Sequence, residues 1–258
     1  MKNRRSSRSN SGQVLIIAAL IITMLLLSTA LYVAETEKAA PSYEPEADTA
    51  FPSFRLGAMH TIISALANIS NGGNADILVA DFNQFKFVVA AHSYNAIFKM
   101  EFTPLNVTPY QDGAWIAWGS SGRGVSSAYV NFILNSSGTS ASYYSEYAVN
   151  MTSELNISGY YALLTESLKQ VNVTCMLLNE DRPALAQNFT IYYEQDGSLS
   201  PEEWIQVASP SIVDYGNGTY RMSFTAETRH RSDPLLVSVH CHDLRSIFIK
   251  ANVTCTQV

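Results

Sequence analysis

The stretch "VNVTCML", Val171–Leu177, sets the expectation for the fold of this chain. Its apolar side chains occur at every second position, at Val171, Val173, Cys175 and Leu177. Because successive side chains of a β-strand point to opposite faces, this period of two predicts a strand with one buried face.

The same alternation recurs on both sides of this stretch, from about residue 94 to the C-terminus. Clusters of Gly, Pro and Asn separate the runs, which is typical of antiparallel sheets packed face to face. We therefore predict a mainly β fold, with helices plus a β-module over 54–164 and a β-sandwich over 165–258. Further clear runs are Phe98–Phe102, Ala128–Leu134 and Tyr220–Phe224.

Two amphipathic helices are predicted ahead of the strands. Apolar residues recur at spacings of three and four within Met59–Leu66, and Gly72 and Gly73 provide a stop signal soon afterwards. The same spacing within Leu78–Val89 predicts a second helix over Ala75–Ala91. We expect the apolar faces of both helices to pack on the β-module.

The N-terminal segment predicts a transmembrane helix over 14–33. These 20 residues carry no charge, and as a helix they would extend about 30 Å, the thickness of a bilayer's hydrocarbon core. The tail 1–13 has four basic residues and no acid, so the positive-inside rule predicts a cytoplasmic tail and an external remainder. A cleaved secretory signal is the alternative interpretation. The acidic segment 34–53, with three prolines, is predicted to be an exposed linker, because proline interrupts helices.

The stretch "SGQVLIIAALII", Ser11–Ile22, resembles the class III signal of archaeal type IV pilins and archaellins. The resemblance implies that Gly12 is the last signal residue and Gln13 the first mature residue after processing. Ser11 departs from the family, which usually has Lys or Arg at that position. A retained anchor and a processed, pilin-like filament subunit therefore both stay open.

The stretch "DYGNGTYRMSF", Asp214–Phe224, resembles the turn and inner strand of filamin-type immunoglobulin-like repeats. This resemblance implies that 165–258 is an Ig-like β-sandwich. It also implies a disulfide between Cys175 and Cys241, whose separation is close to that of the core cysteines of Ig domains. A Cys241–Cys255 bond is the second possibility, and the remaining thiol is either buried or paired between chains.

Nine N-x-[ST] sequons predict N-glycosylation of an exported chain. The 17 Asn and 47 Ser or Thr of the 258 residues would produce about three by chance. Within strands, the sequon asparagines are out of phase with the apolar positions, so we expect them to face solvent. The nine are Asn68, Asn106, Asn135, Asn150, Asn156, Asn172, Asn188, Asn217 and Asn252.

No catalytic, cofactor-binding or metal-binding residues are predicted. The run His240–Asp243 contains two histidines that would share one strand face while Cys241 takes the other, so three ligands do not converge. Gly119–Gly124 lacks the Lys-Ser/Thr ending of a phosphate-binding loop and is interpreted as a hairpin turn. Trp115 and Trp118 are interpreted as a core-packing pair, with a carbohydrate platform as the alternative.

Together these patterns predict a single-pass membrane-anchored surface glycoprotein, archaeal in type and not an enzyme. Its N-terminus would be cytoplasmic, and its Ig-like ectodomain would have an envelope-structural or adhesive role. The alternative is a type IV pilin-like filament subunit processed after Gly12. The expected partners are the lipid membrane and other envelope proteins or copies of the chain itself. Charged residues are 15% of the chain and the net charge is −6, so no nucleic-acid partner is expected.

Overall fold

The computed structural model describes residues 22–29, 47–91, 96–138, 142–195, 204–229 and 235–258. Strands make up 56% of the structure, which confirms the mainly β prediction. Residues Ala47–Val258 form one compact unit. The segment before it is described at residues 22–29, a helix that we call α1.

Two further helices and twelve strands follow in the described residues. Helix α2 is Ala47–Ser70 and α3 is Ile77–Ala91. The strands are β1 Ala96–Pro104, β2 Ala114–Trp118, β3 Arg123–Gly138, β4 Ser142–Leu163, β5 Leu168–Asn179, β6 Arg182–Pro183, β7 Ala186–Glu194, β8 Trp204–Gln206, β9 Ser211–Asp214, β10 Thr219–Glu227, β11 Leu235–Asp243 and β12 Phe248–Gln257.

The helices cover one face of the sheet formed by β1, β3 and the first half of β4. Strand β3 pairs antiparallel with β1 and β2 on one side and with β4 on the other. Phe82 of α3 is fully buried, and its ring centroid lies 5.1 Å from that of Phe132 and 5.2 Å from that of Phe102. Phe102 and Phe132 belong to the alternating apolar positions of their strands. Strand parity, meaning which alternate residues of a strand share a face, therefore determines the face that the helices bury.

The C-terminal strands form a two-sheet sandwich. One sheet has the order β4-β5-β10-β9 and the other the order β8-β7-β11-β12. Rings from the two sheets meet in the core, as in the pair Tyr193–Phe224 with centroids 6.1 Å apart. A short parallel pairing joins β12 to the end of β4. The Ig-like, filamin-type relationship predicted for this sandwich stays a prediction.

Strand β4 belongs to both halves of the compact unit. Residues 142–156 pair with β3, and residues 153–163 pair with β5. Further bonds tie the halves together: the Phe248 amide donates to Ser70 Oγ at 3.0 Å, and Ser126 Oγ donates to the Phe248 carbonyl at 2.8 Å. The boundary placed at 164/165 therefore falls at the turn between two paired strands.

The transmembrane helix predicted over 14–33 is not supported. Among the described residues, no helix is long and apolar enough to cross a membrane. Within that segment the structure describes residues 22–29, which are helical. The uncharged run indicates a preference for an apolar environment and does not by itself show which of its residues are helical.

The linker predicted over 34–53 is also corrected where the structure describes it. Helix α2 begins at Ala47, so residues 47–53 are helical, and residues 34–46 lie outside the described part. Pro52 is inside the helix but only five residues from its start. Proline is most costly in a helix interior, and near the end it removes one backbone hydrogen bond.

The glycine-rich turn at 119–124 is a hairpin, as predicted, with Trp118 paired to Gly124. It packs closely on β12: a Cβ at Gly124 would overlap the Lys250 carbonyl oxygen and lie 2.8 Å from the carbonyl carbon. We expect Gly124→Ala to lower the free energy of unfolding by about 1–3 kcal/mol, because backbone must move.

Gly119→Ala is the matched control for that prediction. The nearest atom to a Cβ at Gly119 is the Arg123 carbonyl oxygen at 3.7 Å, an ordinary contact. Its effect should stay within about 0.5 kcal/mol. Urea unfolding of both variants measures the difference, and equal midpoints would contradict the close packing of Gly124 on β12.

Candidate functional site on the outer sheet face

The candidate site is a solvent-facing surface that carries four of the nine sequons. We call it the outer face: the side of β1, β2, β3, β4, β5 and β10 opposite the helices and the sandwich core. Asn150 and Asn156 lie on it along β4, and Asn172 lies on β5 directly opposite Tyr160. Asn135 lies on β3 opposite Tyr144.

None of the nine sequon asparagines is buried, and Asn172 and Asn252 face outward from their strands as the alternation predicted. Four are half-buried within strands: Asn135, Asn156, Asn172 and Asn252. Five are exposed: Asn68, Asn106, Asn150, Asn188 and Asn217. A transferase needs access to the side-chain amide, and every one of these residues retains exposed surface.

The hydrogen bonds of several sequon amides fall on the carbonyl oxygen, not on the nitrogen that a glycan would occupy. Asn172 Oδ1 accepts from Ser223 Oγ at 2.7 Å, and Asn252 Oδ1 accepts from Ser238 Oγ at 2.6 Å. Asn156 differs, because its Nδ2 donates to Glu154 Oε1 at 2.8 Å. Attachment at Asn156 would compete with that bond.

Two sequons lie at irregular backbone positions. Asn188 has a φ of 51° at a place where the pairing of β7 with β11 shifts register between His240 and His242. This is a β-bulge, and asparagine is among the residues that tolerate left-handed backbone best. Asn217 lies in the β9–β10 turn, where its Oδ1 accepts from the Thr219 amide at 3.1 Å.

The three cysteines are free thiols in the structure, and all are buried. Cys175 on β5 and Cys241 on β11 lie on the facing sheets of the sandwich. Burial raises the pKa of the Cys175 thiol, and the charge of Cys241 raises it further. The Cys175–Cys241 disulfide stays a prediction.

The strand register places the two cysteines of the alternative disulfide, Cys241 and Cys255, far apart. Cys241 lies opposite Ile249, whereas Cys255 lies opposite Leu235. The six residue steps along β12 from Ile249 to Cys255 correspond to about 20 Å. Disulfides require Cα atoms within roughly 7 Å, so the fold does not permit a Cys241–Cys255 bond.

The two histidines of the His240–Asp243 run share one face of β11, as predicted, and each has a local polar partner. His240 Nε2 lies 2.9 Å from Ser238 Oγ, and His242 Nε2 lies 2.9 Å from Asn71 Oδ1. Burial, and then the charge of Lys250, lower the pKa of His240 to about 4. Within the described residues, no three His, Cys, Asp or Glu side chains are grouped to hold a metal ion.

Trp115 and Trp118 are not a core-packing pair, because they lie on opposite faces of β2. Trp118 packs edge-on against Phe248, with ring centroids 5.2 Å apart. Trp115 lies on the outer face, where its ring centroid is 5.9 Å from that of Tyr110. Residues of one strand separated by an odd number of positions point to opposite sides, so the sequence already contained this signal.

A buried ionic cluster was not found from the sequence. Arg245 Nε donates to Asp243 Oδ2 at 2.8 Å, and its Nη1 donates to Glu180 Oε1 at 2.8 Å. Its Nη2 donates to the Thr152 carbonyl at 3.1 Å and to Ser153 Oγ at 2.9 Å. The cluster joins the β11–β12 turn to β4 and to the β5–β6 turn.

The processing positions Gly12 and Gln13 lie outside the described residues. No protein-family model matches this chain, and no curated protein matches it. The sequons and the surface that carries them are therefore the features of this chain that bear on its function.

Proposed function

We propose that this chain is an exported surface glycoprotein whose β-rich body lies outside the cell and serves envelope structure or adhesion. The observation that carries the proposal is the set of nine sequons, about three times the number expected by chance, none of them buried.

The chemistry that this proposal assigns to the sequons is transfer of a glycan to the asparagine amide. A bond forms between Nδ2 and the anomeric carbon of the sugar, the bond from that carbon to the phosphate of a lipid-linked donor breaks, and one amide proton is released. The free Nδ2 atoms of half-exposed asparagines suit this reaction. Glycans would then project from the outer face, from the β9–β10 turn and from the β7 bulge.

Surface labelling tests the external location. A membrane-impermeant amine reagent applied to intact cells should label Lys99, whose side chain is 71% exposed. Lys169 is fully buried and should stay unlabelled, which shows that the protein was folded during labelling. Labelling of Lys99 only after cell lysis would overturn the external location.

The same preparation distinguishes a filament subunit from a cell-bound glycoprotein. Protein that leaves sheared cells in filaments and whose mature N-terminus is Gln13 supports the pilin-like alternative. Protein that remains with the envelope after shearing supports the primary proposal. Mass spectrometry of the N-terminal peptide and sedimentation of the sheared fraction measure both.

A further inference from the structure

The β1–β2 loop folds over the outer face and places Tyr110 beside the sequon Asn150. The loop backbone is held by hydrogen bonds, with the Tyr110 amide donating to the Val107 carbonyl at 2.8 Å and the Gly113 amide donating to the Leu105 carbonyl at 2.9 Å. The position of the Tyr110 ring is therefore fixed by the fold of the loop.

Three aromatic rings meet at this point, and we call Tyr110, Trp115 and Tyr129 the aromatic trio. The Tyr110 ring centroid lies 5.9 Å from that of Trp115 and 5.8 Å from that of Tyr129, both in edge-on geometry. All three side chains are half-buried, so part of each ring remains open to solvent. Tyr129 is also the direct cross-strand partner of Asn150.

The Asn150 amide is oriented by the hydroxyl groups around it. Its Oδ1 lies 3.3 Å from the Tyr110 hydroxyl, 3.1 Å from Ser127 Oγ and 3.3 Å from Thr152 Oγ1. Thr152 is the third residue of the same sequon. These hydroxyls are also bonded to one another, since Ser127 Oγ lies 2.9 Å from the Tyr110 hydroxyl and 2.7 Å from Thr152 Oγ1. Oδ1 therefore accepts from at most two of them at once, and within the described residues Nδ2 makes no hydrogen bond.

We propose that the aromatic trio is a binding site for the first sugar of a glycan attached at Asn150; this inference rests on the proposed glycosylation. A pyranose ring has one face of C–H groups, and such a face packs against the electron-rich face of an aromatic ring. The attachment point restricts the sugar to this region, so little conformational freedom is lost on packing. The glycan covers the trio.

Asn156 is the matched control, because it lies on the same face of β4 six residues further along. Its direct cross-strand partners are Arg123 and Met176. A glycan at Asn156 adds similar mass to the outer face but begins beside those residues and not beside the aromatic trio.

Hydroxyl-radical footprinting of the native glycoprotein tests the inference, with oxidation of Trp115 as the readout and Trp118 as the internal reference. We compare the wild-type glycoprotein, Asn150→Gln, Asn156→Gln, and the wild-type chain from a host without N-glycosylation. Trp115 should oxidise several-fold faster in Asn150→Gln and in the unglycosylated chain. It should remain protected in Asn156→Gln, and Trp118 should be unchanged throughout.

The outcomes separate this inference from the proposed function. Equal Trp115 oxidation in all four proteins, with a glycan present at Asn150, overturns the binding site and leaves the glycoprotein proposal intact. Peptide masses that show no glycan at Asn150, while other sequons carry glycans, also overturn the binding site and leave the glycoprotein proposal intact. Absence of glycan at every sequon overturns both.

Discussion

Arg245→Met should lower the free energy of unfolding by about 3 kcal/mol, because it leaves a fully buried carboxylate without its cation. Asp243 is 0% exposed and receives the Arg245 Nε at 2.8 Å. Removing one partner of a buried ion pair usually costs about 3–5 kcal/mol. We expect the lower end because Asp243 Oδ1 still accepts from the backbone amides of residues 245 and 247, and Oδ2 from Ser153 Oγ.

Arg123→Met is the control for this prediction. Arg123 also pairs with a carboxylate, Glu154, at 2.7 Å, but its side chain is 55% exposed. A solvent-exposed pair of this kind contributes about 0–1 kcal/mol. Urea unfolding of both variants at neutral pH measures the contrast. Similar decreases in the free energy of unfolding of the two variants would show that the Arg245 cluster does not join the β11–β12 turn to β4.

The native exported protein should contain one disulfide, Cys175–Cys241, and its reduction should lower the free energy of unfolding by roughly 4 kcal/mol. The estimate follows from the length of the closed loop, which restricts the unfolded chain more strongly as the loop grows. Burial, and then the charge of Asp243, raise the pKa of Cys241 to about 12. The folded thiol is therefore almost never ionised at neutral pH, and the bond must form during folding.

Thiol counting in denaturant tests the pairing. Protein exported by its own cell should show one free thiol, and Cys255→Ala should show none with unfolding close to wild type. Cys175→Ala and Cys241→Ala should each lose the disulfide. Protein folded in a reducing cytoplasm should retain three free thiols. Three free thiols in the exported protein, or a cross-link through Cys255, would contradict the prediction.

Strand parity was the part of the fold that the sequence predicted best. The alternating residues of β5, β10 and β11 face the core where the period of two placed them. Parity also predicted that Asn172 and Asn252 would be accessible, since a residue out of phase with a buried row must face outward.

Contacts between distant segments could not be predicted in the same way. The partners of Arg245 lie 65 residues away at Glu180 and 92 residues away at Ser153. The spacing of apolar residues within a segment does not indicate which turn packs against which strand. A boundary was predicted at 164/165, but no local pattern there indicates that the strands on its two sides, β4 and β5, pair with each other.

The transmembrane helix expected over 14–33 was predicted from hydropathy and flanking charge, and the described residues do not support it. Such a pattern indicates that a segment prefers an apolar environment and does not show which of its residues are helical. Helix α2 shows the same limit, because its start at Ala47 lies within the predicted linker despite Pro52.

The aromatic trio could be predicted only in part from the sequence. Trp115 and Trp118 are three positions apart, which places them on opposite faces of any strand. Tyr110 contacts Trp115 because of the conformation of the β1–β2 loop. The alternation of apolar residues within strands does not predict loop conformation. Recognition of this cluster required the register of β2, β3 and β4 together.

The central claim is that this chain is glycosylated outside the cell, and the mass of the native protein tests it most directly. Intact-mass analysis of protein purified from its own cells, with mapping of the peptides that contain Asn150, Asn172 and Asn217, should show added glycan on accessible sequons. The same chain from a host without N-glycosylation should have the mass of the polypeptide. A native protein with no added mass at any sequon would contradict the account.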